Sequence, residues 1–162
     1  MNPRPTQQTD RLLVLLQDAG VRFVVIGGVA AISHGAATLT RDLDIAAPLT
    51  PDNVERLMTA LRPYHPTHVT RPDLGEIQDS IARLCEFRLL LIDTDLGRLD
   101  VLGEVQPLGP AETLATVEME LVEGKRFPVL SLDQLIEVKS FVGRPKDRIV
   151  EMELRAIRDR RG

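Results

Sequence analysis

The chain has 162 residues, of which 43% are hydrophobic and 27% charged, and its formal net charge is −4. That mixture excludes global disorder, and the length suits one unit, residues 1–162, with its own core. Cys85 is the only cysteine, which excludes an internal disulfide framework and a cysteine-built zinc site. The longest apolar run, Phe23 to Ile32, is too short for a bilayer and holds two glycines. No secretory signal is visible, so a cytoplasmic location without a membrane partner is expected. Aromatic residues make up 3% and there is no Trp, which removes base-stacking platforms. The negative balance argues against general nucleic-acid coating.

In chain order, Thr9 is placed to cap a helix whose Leu12, Leu13, Leu15, Leu16 and Ala19 form one apolar stripe, ended by Gly20. Arg22 to Ile26 reads as a buried strand. Gly27-Gly28 breaks it before a short helix, Val29 to His34. Asp42 to Ala46 alternates as a strand. Thr50-Pro51-Asp52 opens a helix expected to stop at Pro63. Residues 63–82 carry three prolines and read as loop with room for a short strand. Leu84 to Ile92 and Arg98 to Val105 read as paired strands around the turn 93–97. Pro110 to Val117 is expected to be helical. Met119 to Val122 and Arg126 to Leu130 flank a tight turn. Ser131-Leu132-Asp133-Gln134 is a capping box for a helix to Val142, and Pro145 starts a last helix. The class is α/β with a mixed sheet, because helices separate the early strands while the later ones form hairpins.

The chemistry concentrates in Val25-Ile26-Gly27-Gly28-Val29-Ala30 and Asp42-Leu43-Asp44-Ile45. Carboxylates at i and i+2 of a strand share a face, and their repulsion calls for a compensating cation or solvent. Hard oxygen donors of this type suit Mg²⁺ together with substrate phosphates. Glycines at a strand end before a helix let backbone N–H groups approach a phosphate. Asp100, in the apolar run Arg98-Leu99-Asp100-Val101-Leu102, is the candidate third acid; a salt bridge to an arginine is the alternative. Lys139 falls on the apolar face formed by Leu132, Leu135, Ile136, Val138 and Val142. It must snorkel out, pair with a carboxylate, or meet an anion.

With Ile26-Gly27-Gly28-Val29-Ala30-Ala31, His34-Gly35, Thr40-Arg41-Asp42-Leu43-Asp44-Ile45 and Asp100, the sequence resembles the polymerase-β-like nucleotidyltransferase superfamily. It is most similar to the minimal bacterial branch that includes abortive-infection and type IV toxin-like proteins. The resemblance extends more loosely through Gly143-Arg144-Pro145-Lys146-Asp147. It implies an α+β nucleotidyltransferase fold, a mixed sheet flanked by helices with two helices at the C-terminus. It also implies transfer of a nucleoside monophosphate from a nucleoside triphosphate to an acceptor hydroxyl of a small molecule, protein or RNA. Asp42, Asp44 and Asp100 would be catalytic and hold two Mg²⁺ ions, while Gly27, Gly28, Arg41 and Lys139 would bind nucleotide. Two features depart from the family pattern. Gly28-Val29 offers no serine hydroxyl, and Thr38 stands where relatives carry arginine, with Arg41 the nearest substitute. The rival readings are a degenerate binding module in a toxin–antitoxin pair and a ligand-free scaffold. Small size points to a cognate antitoxin or a homodimer as partner. The second Asp-x-Asp, Asp93-Thr94-Asp95, reads as turn chemistry, and His65 and His68 as loop residues.

Overall fold

A computed structural model describes residues 5–162. Its elements are α1 (Thr9–Asp18), β1 (Val24–Ile26), α2 (Gly27–Ser33), β2 (Leu43–Ala46), α3 (Pro51–Leu61), β3 (Thr67–His68), α4 (Ile81–Leu84), β4 (Leu89–Thr94), β5 (Gly97–Leu102), β6 (Glu104–Val105), β7 (Gly109–Pro110), β8 (Thr116–Val122), β9 (Lys125–Leu130), α5 (Leu132–Val142) and α6 (Pro145–Arg161). A mixed seven-stranded sheet runs β3-β4-β5-β2-β1-β9-β8, parallel at β5/β2 and β1/β9 and antiparallel elsewhere. Helices flank it, and α5 packs against α6, the longest helix, at the C-terminal end.

The sheet's two faces differ, and that difference positions everything else. Leu43, Ile45, Leu99 and Val101 alternate onto one face, where none exposes any surface. Arg98, Asp100 and Leu102 alternate onto the other, which is only half covered. The buried side chains from Leu12 to Ile157 form one contiguous cluster, with Phe127 the largest fully buried side chain. Among the described residues, no helix is long and apolar enough to cross a membrane.

Several expectations need correction. Pro110–Val117 is not a helix. Only Ala111–Thr113 makes a 3₁₀ turn, and Thr116-Val117 already belongs to β8, paired with Leu130 and Val129. The β-branched pair fits the pleated sheet better than a helical turn. The strand expected from Leu84 starts at Leu89, because Ser80 caps α4 by accepting from the Arg83 N–H. Val105 does not extend β5. After Gly103 it joins the separate β6/β7 ribbon. The diglycine opens α2 rather than preceding it, and Gln8 rather than Thr9 occupies the first cap position. Ser131 does cap α5 through the Gln134 N–H, but Gln134 turns its amide oxygen to the Ala115 N–H instead of closing the box.

Two buried polar residues knit the layers together. Asn53, 2% exposed, accepts from the Arg22 N–H and donates to the carbonyls of Arg22 and Pro48. It ties the start of α3 to the entry of β1. His34, 3% exposed, closes α2 and lies 2.8 Å from the Leu130 carbonyl through Nε2. Arg161 can only donate, so the His34 Nδ1 facing it at 3.2 Å accepts and Nε2 carries the proton. The C-terminal arginine thereby fastens α6 to α2. Replacing Asn53→Ala removes all three hydrogen bonds and leaves backbone groups unpaired. We expect a loss of about 1–3 kcal/mol, read as a lower urea midpoint with an unchanged slope.

Candidate active site

Parallel pairing of β2 with β5 sets Leu43 opposite Leu99 and Asp44 opposite Asp100. Directly paired residues share a face, so the register brings Asp44 and Asp100 together on the half-open side, with Asp42 beside Arg98 one step outward. The carboxyl groups of Asp44 and Asp100 lie within hydrogen-bonding reach. Burial, then the Asp100 charge and hydrogen bond, push the Asp44 carboxyl up to about 7, with Asp42 adding to the rise and Arg98 opposing it. Arg98 is the one cation in direct contact among the described residues. Its Nε sits 2.8 Å from Asp100 Oδ1 and 3.8 Å from Asp42 Oδ2, and Nη2 lies 3.3 Å from Asp100 Oδ2.

The three aspartates thus share one face, but they do not form a single ligand set as they stand. Among the described residues, no group of three or more His, Cys, Asp or Glu side chains could hold a metal ion. Asp44 and Asp100 suit a divalent cation by their chemistry, being two oxygen donors whose mutual repulsion a cation relieves. Asp42 joins them only through the Arg98 guanidinium.

Gly27 supports this face directly. Its φ of +64° is a left-handed conformation, and a Cβ there would collide with the Asp44 carboxylate. At Gly28 a Cβ would lie 2.6 Å from Thr40 Cβ and 2.7 Å from Thr40 Oγ1. The Thr40 hydroxyl in turn donates to the Asp42 carbonyl at 3.0 Å. Gly27 and Gly28 line a cavity of about 420 Å³ with Thr38, Thr40, Lys139 and Lys146. A second cavity, about 590 Å³, is walled by Leu89, Leu91, Leu102, Val138 and Phe141 around Asp100. Asp44, Gly27, Lys139, Arg144 and Asp147 border both. Arg41 lies away from the glycine cavity. It lines a third, about 320 Å³, with Asp42, Asp93 and Arg98.

Lys139 points inward and finds a carboxylate, but not one of the three expected. Its Nζ is 3.2 Å from Asp147 Oδ1, and Arg144 Nε is 2.6 Å from Asp147 Oδ2. The Asp147 side chain is 2% exposed. Burial alone would raise its carboxyl, yet hydrogen bonds from Arg144 and Lys139 hold it below the usual range. In the sequence Asp147 stands only as the end of the Gly143-Arg144-Pro145-Lys146-Asp147 stretch. The inward lysine was the available signal, since it demanded a partner across the Gly143 turn. The discounted motifs stay apart from this site. His65 bonds Asp95 at 2.6 Å and His68 bonds Asp79 at 2.9 Å, while the Thr94 hydroxyl closes the β4–β5 turn on the Gly97 carbonyl.

No protein-family model matches the chain, and no curated protein sequence does. Solved structures do. TM1012 of Thermotoga maritima, named as a nucleotidyltransferase, superimposes with a TM-score of 0.55 at 14% identity, over 88% of this chain and 89% of that one. ANT(2″)-Ia, solved with adenylyl-2″-tobramycin, gives 0.53 at 14% identity, over 93% of this chain and 95% of that one. The fold is that of the nucleotidyltransferases. At this identity the likeness speaks for the architecture: the mixed sheet, its flanking helices and the two C-terminal helices.

Two predictions follow from the charges on this face. Because the folded state raises Asp44 from 3.8 to about 7, that state binds the extra proton between those values. Stability contributed by Asp44 is therefore complete below pH 4 and is lost as pH rises through 7. Melting curves of Asp44→Asn and the parent chain should diverge over that interval, the variant becoming relatively more stable toward pH 7. Asp147→Asn should cost roughly 2 kcal/mol at neutral pH, the scale of hydrogen bonds to charged groups. That cost should shrink as pH falls and the parent Asp147 protonates, which denaturant titrations at pH 7 and pH 3 would reveal.

Proposed function

We propose that this chain is a Mg²⁺-dependent nucleotidyltransferase that moves a nucleoside monophosphate from a nucleoside triphosphate to an acceptor hydroxyl. The observation that carries this reading is the Asp44–Asp100 pair, set in register on one face, with Asp44 bordering two cavities and Asp100 lining the second. The cavity with Gly27, Gly28, Lys139 and Lys146 suits the triphosphate. There the Gly27-Gly28 backbone borders the cavity, and the lysines supply positive charge. The apolar-walled cavity around Asp100 suits the acceptor.

In the reaction, the acceptor oxygen forms a bond to the α-phosphorus while the bond to pyrophosphate breaks in line. The carboxylates beside the acceptor side, Asp100 foremost, are placed to hold the proton that the hydroxyl gives up. Mg²⁺ held by Asp44 and Asp100 with Asp42, in two sites by analogy with the family, would offset the charge developing on the attacking and leaving oxygens. Lys139, fixed by Asp147 at the border of both cavities, orients the phosphates. Arg41 follows Thr40, which lines both the glycine cavity and the cavity beside Asp42, and would reach the nucleotide from the Asp42 side. Acceptor choice is assigned to a partner, a cognate antitoxin or a second copy, in the cytoplasm.

One observation favours a second reading. Arg98 already neutralises Asp100 and reaches Asp42, as it would in a degenerate module that kept the fold for binding within a toxin–antitoxin pair. Calorimetry with ATP and the other nucleoside triphosphates in Mg²⁺ separates the two. The enzyme reading expects binding, loss of turnover by at least a hundredfold in Asp42→Asn/Asp44→Asn, and roughly tenfold weaker nucleotide binding in Lys139→Met without unfolding. Absence of Mg²⁺-nucleotide binding by the parent chain would sink it.

A further inference from the structure

The Arg98 backbone is fixed. Its N–H donates to Gln7 Oε1 at 2.8 Å, and its carbonyl accepts from Gln7 Nε2 at 3.1 Å. That side-chain amide continues the ladder beyond the start of β2, so any change in this arginine must occur in its side chain. The guanidinium has two possible carboxylate environments. On one side stand Asp100 and Asp42, which it now contacts. On the other stands Asp93, directly opposite Arg98 in the antiparallel β4–β5 pairing and therefore on the same face. Between them lies the cavity of about 320 Å³ bordered by Gln7, Arg41, Asp42, Asp93 and Arg98. Among the described residues, Asp93 has no other side-chain partner within ion-pair distance.

We propose that Arg98 is a positioning residue with two seats. Paired with Asp100 and Asp42 it neutralises the carboxylate face, and paired with Asp93 it clears that face for a divalent cation. The inference rests on the nucleotidyl-transfer reading, which requires that cation. Directly paired residues on antiparallel strands lie about 5 Å apart at Cβ, well within reach of an arginine. A move to Asp93 keeps a charge-assisted contact, and the incoming dication takes over the compensation of Asp100 and Asp42 that Arg98 gives up. It also separates two positive charges that would otherwise crowd the same oxygens. Arg98 then sets how readily the site accepts a cation, and a dication-free chain keeps a compensated, folded active face.

The test measures Mn²⁺ affinity without nucleotide, by electron paramagnetic resonance of the free ion, and thermal stability in EDTA and in excess Mn²⁺. Arg98→Gln removes the competing charge. It should bind Mn²⁺ roughly tenfold more tightly than the parent, melt lower in EDTA and regain stability with Mn²⁺. Asp93→Asn removes the second seat and should weaken Mn²⁺ binding several-fold, although it lies outside the proposed catalytic groups. In the Arg98→Gln background Asp93→Asn should change Mn²⁺ affinity far less, whereas a simple through-space effect of the Asp93 charge would persist there and overturn the two-seat reading. Should Arg98→Gln fail to fold, Arg98→Lys, which keeps the charge but loses the two-point contact, should bind with intermediate affinity. Equal Mn²⁺ affinity in the parent and the Arg98 variants, or an unaffected Asp93→Asn, overturns the two-seat proposal and leaves nucleotidyl transfer standing. If neither the parent nor any Arg98 variant binds Mn²⁺, the two-seat proposal falls, and the Mg²⁺-nucleotide titration alone decides the nucleotidyl-transfer reading.

Discussion

The open face depends on keeping negative charges together on a small patch of sheet. Pairing β2 with β5 in parallel sets Asp44 against Asp100, and burial first, then the Asp100 charge, pushes the Asp44 carboxyl up. The register cannot relax to avoid it. A shift by one residue would turn Leu43, Ile45, Leu99 and Val101 from the core to the open side. Hydrophobic burial on one face therefore creates the electrostatic problem on the other. Arg98, two residues before Asp100 on the same strand, supplies the local solution.

Across the cleft, the helices solve the opposite problem in the same way. Lys139 and Arg144 share the buried Asp147, so positive charge is held at the cavity border without being released to solvent. One wall offers carboxylates with a balancing arginine, and the other offers cations with a balancing aspartate. A ligand of one sign would disturb only one of these arrangements. A polyphosphate accompanied by a divalent cation carries both signs and complements both walls. That match is why this cleft suits the reading better than a neutral ligand would.

How much of this was legible depends on the range over which each feature acts. The Gly27-Gly28 break, the Asp42-x-Asp44 spacing and the inward Lys139 are local patterns, and periodicity exposed them. The i, i+2 relation of Arg98 to Asp100 was equally local, and an arginine partner was the recognised alternative for that acid. The contact of Arg98 with Asp42 was not legible, because it needs β2 and β5 to be neighbours despite the helices and loop between them. Asp147 escaped for the same reason: its partner lies on the preceding helix. The secondary-structure errors cluster where β-branched residues, prolines and short turns compete. At Thr116-Val117 pairing to β9 prevails over a helical start.

Gly28 and Thr40 are packed so closely that neither position is independent of the other. A Cβ at residue 28 would lie only 2.7 Å from Thr40 Oγ1. Glycine there admits a hydroxyl from the loop before β2, at the edge of the cavity that Gly27 and Gly28 also line. The same hydroxyl holds the Asp42 carbonyl, whose carboxylate faces Arg98. The glycine turn, the threonine loop and the carboxylate face are thus mechanically joined through Thr40.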